Sequence, residues 1–132
     1  WEQRLGMKLL PQLQVVESTA AIIGGAFEGL FAWSIHTGEL LWQEASSMPI
    51  DQLWSAPWRE VVFATGSEVL GLETVLSAWS VGKSHKLMWS KSGQDMFMAL
   101  VADEEDRVFV RRGCQVVAYR LDTGECLWEL FR

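Results

Sequence analysis

The sequence predicts an all-β fold made of three similar units, and two observations support this. The eleven-residue segment AWSIHTGELLW at 32–42 returns as AYRLDTGECLW at 118–128, and a looser copy, AWSVGKSHKLMW, lies between them at 78–89. The rest of the chain consists of short segments rich in β-branched and aromatic residues, each bounded by Gly, Asp, Ser or Thr. No stretch of ten residues repeats its apolar positions with a helical period, so we expect helix as a minor component at most.

The spacing of the repeated segment predicts the architecture of each unit. Its closing tryptophans, with Trp1 as the remnant of a fourth unit, are 41, 47 and 39 residues apart. This period is typical of four short antiparallel strands, as in one blade of a β-propeller. The predicted blades are 2–44, 45–91 and 92–132.

The first and third units follow the same plan. In unit one the predicted strands are LQVVES, AAIIGG, LFAWSI and ELLWQE, with turns at 18–19 and 36–38. In unit three they are MFMALVA, RVFVRRG, QVVAYRL and ECLWEL, with turns at 103–106 and 122–124. The Gly before each fourth strand supplies the positive φ of a tight hairpin, and the Thr or Asp beside it can bond to the backbone of the turn.

The second unit differs by an insertion. Its first three strands are DQLWSA, EVVFATG and LSAWSV, and the link from Gly66 to Ala78 is 12 residues long, against 7 and 5 in units one and three. The surplus is the apolar segment VLGLETVL at 69–76, which is either a longer buried strand pair or an exposed patch for a protein partner. The residues of this candidate patch are Val69, Leu70, Leu72, Glu73, Val75 and Leu76.

The repeated segment resembles the tryptophan-docking motif of the PQQ-like, or quinoprotein-type, β-propeller family. That motif has Ala first, Thr-Gly at the sixth and seventh positions and Trp last. Two copies match it in full, and the middle copy keeps Ala and Trp but has a longer turn without Thr-Gly. The matching residues are Ala32, Thr37, Gly38, Trp42, Ala78, Trp89, Ala118, Thr123, Gly124 and Trp128.

The motif predicts how neighbouring blades pack. A small Ala leaves a slot for the Trp of a neighbouring blade, and each buried indole contributes about 2–3 kcal/mol. We therefore expect Trp42, Trp89 and Trp128 to be largely buried anchors between blades. We also expect the aromatic residues at the second position of the segment to pack between blades rather than bind a ligand. These residues are Trp33, Trp79 and Tyr119.

Three blades of this size do not close a ring. Propellers have typically four to eight blades, and the resemblance implies seven or eight. We expect the remaining blades to come from a longer chain, although a second copy would make six. On this interpretation the 132 residues do not form a closed, stable monomer alone.

The composition excludes two kinds of partner. A net charge of −6 argues against a nucleic-acid surface, since phosphate binding requires clustered Lys and Arg. No run of about 18–20 uncharged apolar residues is present, so we expect no direct membrane insertion.

Cys114 and Cys126 lie on strands of one hairpin, with Cys126 opposite Tyr119 or Arg120, so we predict that they are unpaired. Two free thiols favour an intracellular reducing compartment.

The chemistry of the family does not transfer to this chain. The family's enzymes bind pyrroloquinoline quinone and calcium, with a disulfide between adjacent cysteines and an Asp base. No two cysteines adjoin here, and the Asp usual at the third position of the segment is replaced by Ser34, Ser80 and Arg120. We therefore expect no catalytic residue, no cofactor and no metal site.

Two further groups have simpler explanations than ligand binding. The acidic run at 103–106 lacks the Gly and the alternating spacing of a calcium loop, which favours a solvated turn. His36 and His85 occupy equivalent turns in different blades, and no third ligand is spaced to complete a zinc site. We expect both histidines at blade-edge surfaces.

The sequence as a whole favours a non-catalytic propeller that acts as a scaffold or protein-interaction module, as many PQQ-like relatives do. Its partners would be other proteins or the remaining blades. One alternative is a fragment of a PQQ-dependent dehydrogenase whose catalytic residues lie outside this chain. A WD-repeat scaffold is a third possibility, but the Gly-His and Trp-Asp signatures are missing.

Overall fold

The computed structural model describes residues 9–26, 29–46, 50–67, 73–82, 84–93 and 97–131. These residues form three four-stranded antiparallel sheets. The predicted all-β fold with four-stranded units is confirmed. Within the described ranges, no helix is both long and apolar enough to cross a membrane.

Each sheet is one blade, and its strands follow chain order. Blade 1 contains β1 (Leu9–Val16), β2 (Ala21–Ala26), β3 (Gly29–Ser34) and β4 (Leu40–Ala45). Blade 2 contains β5 (Ile50–Ala56), β6 (Val61–Ser67), β7 (Thr74–Val81) and β8 (His85–Gly93). Blade 3 contains β9 (Phe97–Ala102), β10 (Arg107–Arg112), β11 (Gln115–Arg120) and β12 (Cys126–Phe131). Short 3-10 turns at Glu17–Thr19 and Pro57–Arg59 join the first two strands of blades 1 and 2.

The first strand of each blade lies on the inner side of the array, and the fourth strand lies on the outer side. Strand β5 contacts both β1 and β9, the first strands of the neighbouring blades. Strand β12 is exposed along its whole length. The chain therefore enters each blade at the centre and leaves it at the rim.

A left-handed residue precedes the second strand of every blade. These residues are Ala20, Glu60 and Asp106, with φ of 52°, 52° and 61°. The carbonyl oxygen of each accepts a hydrogen bond of 2.8–2.9 Å from the N–H of the fourth residue of the repeated segment. The donors are Ile35, Val81 and Leu121. This bond ties the first hairpin to the end of the third strand in all three blades.

The hydrophobic core lies between the blades. One cluster joins residues of blade 1, including Ile23, Leu30 and Ala32, to residues of blade 2, including Trp79 and Val81. A second cluster joins blade 2 to blade 3 in the same way. Because burying one large apolar side chain contributes about 1.5–3 kcal/mol, the stability of the array depends mainly on contacts between neighbouring blades.

The apolar insertion of the second unit is in part core. Val69, Leu70 and Leu72 lie outside the described residues. Leu76 lies in β7, which begins at Thr74, and it is 0 % exposed because its side chain packs in the cluster between blades 2 and 3. The expectation that Leu76 binds a separate partner is therefore wrong. Val75 is half-buried, and Glu73 is exposed.

The two cysteines are free and exposed. Cys126 pairs with Tyr119 in the β11–β12 ladder, whereas Cys114 lies in the turn before β11. The prediction that the two thiols are not joined to each other is confirmed.

Candidate interaction surfaces within and beyond the blade array

The junction between blades 2 and 3 is built around Trp89, the closing tryptophan of blade 2. Its side chain is 8 % exposed, and its Nε1 donates a hydrogen bond of 2.8 Å to the main-chain oxygen of Leu121 in blade 3. The indole lies over Gly124, where a Cβ atom would come within 2.7 Å of the ring. Gly124 also has a φ of 75°, a left-handed conformation that favours glycine. Glycine is therefore required both by the turn and by the docked ring.

Aromatic contacts surround Trp89 on both sides of this junction. Its ring centroid lies 6.2 Å from that of Phe63 in its own blade and 6.0 Å from that of Tyr119 in blade 3. Lys91 Nζ lies 5.4 Å from the Tyr119 centroid, which is cation–π distance. Burial raises the pKa of Tyr119, so its hydroxyl stays neutral at physiological pH.

The junction between blades 1 and 2 holds its tryptophan differently. Trp42 is half-buried, and its ring stacks on that of His85 with centroids 4.7 Å apart and planes within 7° of parallel. His85 Nδ1 lies 2.7 Å from Glu44 Oε1 of blade 1. His85 begins the outer strand β8 and its side chain is 36 % exposed, so it lies at a blade edge as expected, but the sequence did not predict that its ring stacks on the tryptophan of blade 1.

Polar contacts reinforce both junctions at the turns after the first strands. Ser18 of blade 1 donates a hydrogen bond of 3.1 Å to the Glu60 carboxylate of blade 2. Arg59 of blade 2 forms an ion pair with Asp106 of blade 3, including a bond of 2.7 Å from Nε. Both carboxylates belong to the left-handed residues of these turns. Sequence comparison could not have found this pairing, because Ala20 occupies the corresponding position of blade 1.

The remaining motif positions shape the turn before the fourth strand. Ser34 Oγ accepts hydrogen bonds from two backbone N–H groups of its own turn, at 3.2 and 3.4 Å. The hydroxyl oxygens of Thr37 and Thr123 each accept a bond from the N–H two residues later, at 3.2 and 3.3 Å. Arg120 pairs with Glu125 across the same turn at 3.5 Å. These side chains stabilise the hairpin turn, and in blade 3 this turn contacts Trp89 of the preceding blade.

The aromatic residues at the second position are all buried. In blades 2 and 3 they lie on the side that faces the preceding blade. Trp79 belongs to the cluster with blade 1, and Tyr119 belongs to the cluster with blade 2. Trp33 is 4 % exposed and covers Gly24, where a Cβ would come within 2.8 Å of its ring. Trp33 Nε1 has no hydrogen-bond partner among the described residues.

The outgoing face of blade 3 is exposed at three of its five residues, whereas Phe109 is half-buried and Ala118 is buried. We use this name for the side of a blade that faces the next blade along the chain; in blade 3 it consists of Phe109, Val116, Ala118, Trp128 and Leu130. Trp128 is 40 % exposed, Val116 39 % and Leu130 60 %. The expectation that Trp128 is largely buried is therefore wrong, because no described blade covers it. A cleft of about 590 Å³ lies at one end of this face.

Carboxylates of the acidic turn of blade 3 are paired with arginines, Arg107 of the same blade and Arg59 of blade 2. Asp103 accepts bonds of 2.9 and 2.6 Å from Arg107 and two more from backbone N–H groups. The Arg107 guanidinium lowers the pKa of Asp103. Across the chain segments given above, no three His, Cys, Asp or Glu side chains cluster so that they could hold a metal.

Solved structures similar to this chain are β-propellers. The β-propeller domain of Cps50 (Swd1) from Myceliophteria thermophila matches 95 % of the chain with a TM-score of 0.75 and 10 % sequence identity. BamB from Moraxella catarrhalis matches 98 % with a TM-score of 0.68 and 13 % identity. The chain spans 43 % and 38 % of those two structures. No protein-family profile and no curated protein sequence matches it. At these identities the likeness shows the β-propeller fold alone.

Proposed function

We propose that this chain is a segment of a non-catalytic β-propeller of the PQQ-like repeat type, and that it acts as a scaffold or interaction module for other proteins. The observation that carries the proposal is the exposed outgoing face of blade 3. This face repeats the residues that join blades elsewhere in the chain, and it is apolar. Contiguous exposed apolar patches are typical of protein–protein interaction sites.

The arrangement of the motif residues supports the PQQ-like assignment. In the junction between blades 2 and 3, the Trp of one blade lies over the Gly of the next blade's Thr-Gly turn. The third-position residues Ser34 and Arg120 hold turns. The contacts made by the residues at these motif positions are structural, and they explain why these residue types occur there without a catalytic role.

The size of the similar structures supports a larger ring. Both are β-propellers of which this chain spans less than half. We propose that the outgoing face of blade 3 binds either a separate protein or one of the remaining blades of a ring of seven or eight.

One experiment separates the scaffold from a quinone-dependent dehydrogenase. The longer propeller protein that contains this chain is purified and incubated with pyrroloquinoline quinone and Ca²⁺, and dye reduction is measured with alcohol and sugar substrates. We expect no bound quinone absorbance and no calcium-dependent reduction. Either signal would contradict the proposal and favour the dehydrogenase alternative.

A second experiment tests the interaction directly. A photo-crosslinking residue at Val116, on the outgoing face, should give a discrete crosslinked product in an extract of the source cells. The substitution L130E should abolish this product. The matched control L87E, at a position that is 48 % exposed on the outer strand of blade 2, should not. Equal loss with both variants, or no product, would count against an interaction at this face.

A further inference from the structure

We propose that a cleft between blades 1 and 2 binds the arginine side chain of a partner protein. This inter-blade cleft has a volume of about 260 Å³ and lies where the end of β4 meets the side of blade 2 that faces blade 1. Its lining includes Ser46, Gly66, Ser77, Trp79 and Ser90. The inference adds a second surface to the interaction module proposed above and rests on that proposal.

The corresponding space between blades 2 and 3 is filled by Arg112. Arg112 stands three residues after Phe109, just as Gly66 stands three residues after Phe63, and each Phe pairs with the Ala of its repeated segment. A Cβ atom added to Gly93, at the end of the outer strand of blade 2, would overlap the Arg112 guanidinium. The arginine of blade 3 therefore reaches across the junction onto the preceding blade, whereas the glycine of blade 2 cannot.

Two further positions of the junctions correspond in the same way. Ser46 and Gly93 each lie four residues after the closing tryptophan of the earlier blade. Ser90 and Glu129 each lie directly after the closing tryptophan of the later blade, and each pairs with the residue just before the Ala of the repeated segment. The first junction therefore has small residues where the second has a large cation and a carboxylate, and the cleft occupies the difference.

The surroundings of Arg112 show how this fold holds a guanidinium between two blades. The side chain forms a hydrogen bond with Tyr119, the aromatic residue at the second position of its blade, and it lies against the backbone at Gly93. The Glu129 carboxylate is near enough to act electrostatically on the same Tyr119 hydroxyl. An aromatic residue, an open stretch of backbone and oxygen acceptors thus surround the cation.

The inter-blade cleft offers groups of the same kinds. Trp79 takes the place of Tyr119, and its Nε1 donates a hydrogen bond of 2.8 Å to Ser77 Oγ, which fixes the indole at the wall of the cleft. Ser77 Oγ in turn donates to the main-chain oxygen of Ala64 at 3.3 Å. A hydroxyl oxygen has two acceptor lone pairs, and a guanidinium has five N–H donors and packs well against an indole. The lining therefore suits the planar, multiply donating head of arginine.

Charge favours a cation in this cleft more than in the junction that already holds one. Two residues after the closing tryptophan, the second junction has Lys91, whereas the first has Glu44. None of the described residues that line the cleft is charged, and Glu44 directly precedes two of them on β4. The net charge of −6 adds a general attraction for a basic partner.

The test measures arginine binding at Trp79. The longer propeller protein that contains this chain is labelled with 5-fluorotryptophan, and W79F identifies the Trp79 fluorine signal. Titration with N-acetyl-arginine methylamide should shift this signal to saturation. The neutral isostere N-acetyl-citrulline methylamide should bind about tenfold more weakly, because hydrogen bonds from a charged donor are the stronger ones. Free L-arginine should bind no more tightly than the capped form, since the occupant is a side chain within a protein.

One variant supplies the arginine from within the chain. G66R places the side chain of Arg112 at the corresponding position of blade 2, and Gly66 lies in β6 without a positive φ, so the backbone accepts the substitution. We expect G66R to abolish the response of the Trp79 signal to capped arginine.

A matched pair of variants changes the affinity in opposite directions. S90E places a carboxylate where blade 3 has Glu129 and should tighten binding of capped arginine about five- to tenfold, whereas S90K should weaken it by a similar factor. Ser90 is exposed, so neither variant disturbs the core. The control pair S84E and S84K makes the same charge changes at an exposed turn residue that does not line the cleft, and should change the affinity less than about twofold.

Several results would overturn the inference: no saturable shift of the Trp79 signal, equal binding of the citrulline and arginine probes, binding that survives in folded G66R, or equal effects of the charge changes at positions 84 and 90. Tighter binding of free L-arginine than of the capped form would exclude a protein partner as the source of the guanidinium. The pair at position 90 decides the question whether or not G66R folds. Dehydrogenase activity, or loss of the crosslink at Val116, would instead overturn the proposed function and leave the Trp79 titration unchanged, so the two failures are distinguishable.

Discussion

The two junctions of this chain use the same closing tryptophan but hold it by different means. Trp89 is buried, hydrogen-bonded to a carbonyl and seated on a glycine, whereas Trp42 is half-buried and stacked on an imidazole. The cause is the turn that receives each ring. The Thr-Gly turn of blade 3 leaves room for an indole against the backbone, and the longer turn of blade 2 places a side chain there instead. Three predictions test this difference, and a fourth concerns a contact within one blade.

The largest expected effect is the loss of stability when either of the two tryptophans is replaced by alanine. We expect W89A to lower the free energy of unfolding by about 3–5 kcal/mol and W42A to lower it by about 1.5–2.5 kcal/mol. The loss for W42A is smaller because Trp42 is less buried and its indole has no main-chain acceptor identified among the described residues. Urea unfolding of the dilute chain measures both. The control W58A removes a ring that is 52 % exposed and should change stability by less than about 0.5 kcal/mol. Equal losses for W42A and W89A would show that the two junctions do not differ.

The second prediction concerns the glycine under Trp89. We expect G124A to lower the free energy of unfolding by about 2–4 kcal/mol, since the new Cβ meets the indole and the residue must keep a positive φ. The control G113A is also at a positive φ, of 61°, and measures the backbone strain. Equal losses of stability for G124A and G113A would mean that contact with Trp89 contributes nothing to the effect of G124A.

The third prediction concerns the imidazole under Trp42. We expect H85A to lower the free energy of unfolding by about 1–2 kcal/mol through loss of the stacked ring and of the Glu44 hydrogen bond. H85F keeps a ring without that bond and should recover about half of the loss. Thermal unfolding of the three proteins measures these steps, and a phenylalanine variant no better than H85A would exclude stacking as a contribution.

The smallest effect is expected at Asp103 in the acidic turn of blade 3, whose side-chain hydrogen bonds all lie within its own blade. Arg107 lowers the pKa of Asp103, so the folded state binds this proton less readily than the unfolded state. The stability conferred by Asp103 is therefore fully present above its usual pKa and is lost as the pH falls through the lower folded-state value. D103N should be less stable than the wild type at neutral pH, and the difference should disappear in strong acid. A difference independent of pH would contradict the ionic explanation.

The sequence predicts the features that repeat in residue type. The recurrence of Ala, Thr-Gly and Trp predicts the strands, the turns after Ser34 and Arg120, and the packing of Trp89 against the next blade. The left-handed residues were not predictable, because Ala, Glu and Asp occupy the same place and only the backbone repeats. The stacking of His85 on Trp42 was not predictable, because the two residues lie in different blades. Trp128 was misplaced because its burial depends on a neighbouring blade, whose presence the residues of blade 3 do not determine.

The path of the chain from rim to centre has a consequence for assembly. Four residues, 46–49, separate β4 from β5, and three residues, 94–96, separate β8 from β9. Such short tethers make docking of neighbouring blades an intramolecular step with an effective concentration in the millimolar range. Under these conditions even the modest Trp42–His85 contact can form, whereas a blade on a separate polypeptide must overcome the full entropic cost of association. Dilution therefore leaves both internal junctions closed and removes from blade 3 any partner that is not covalently joined to it.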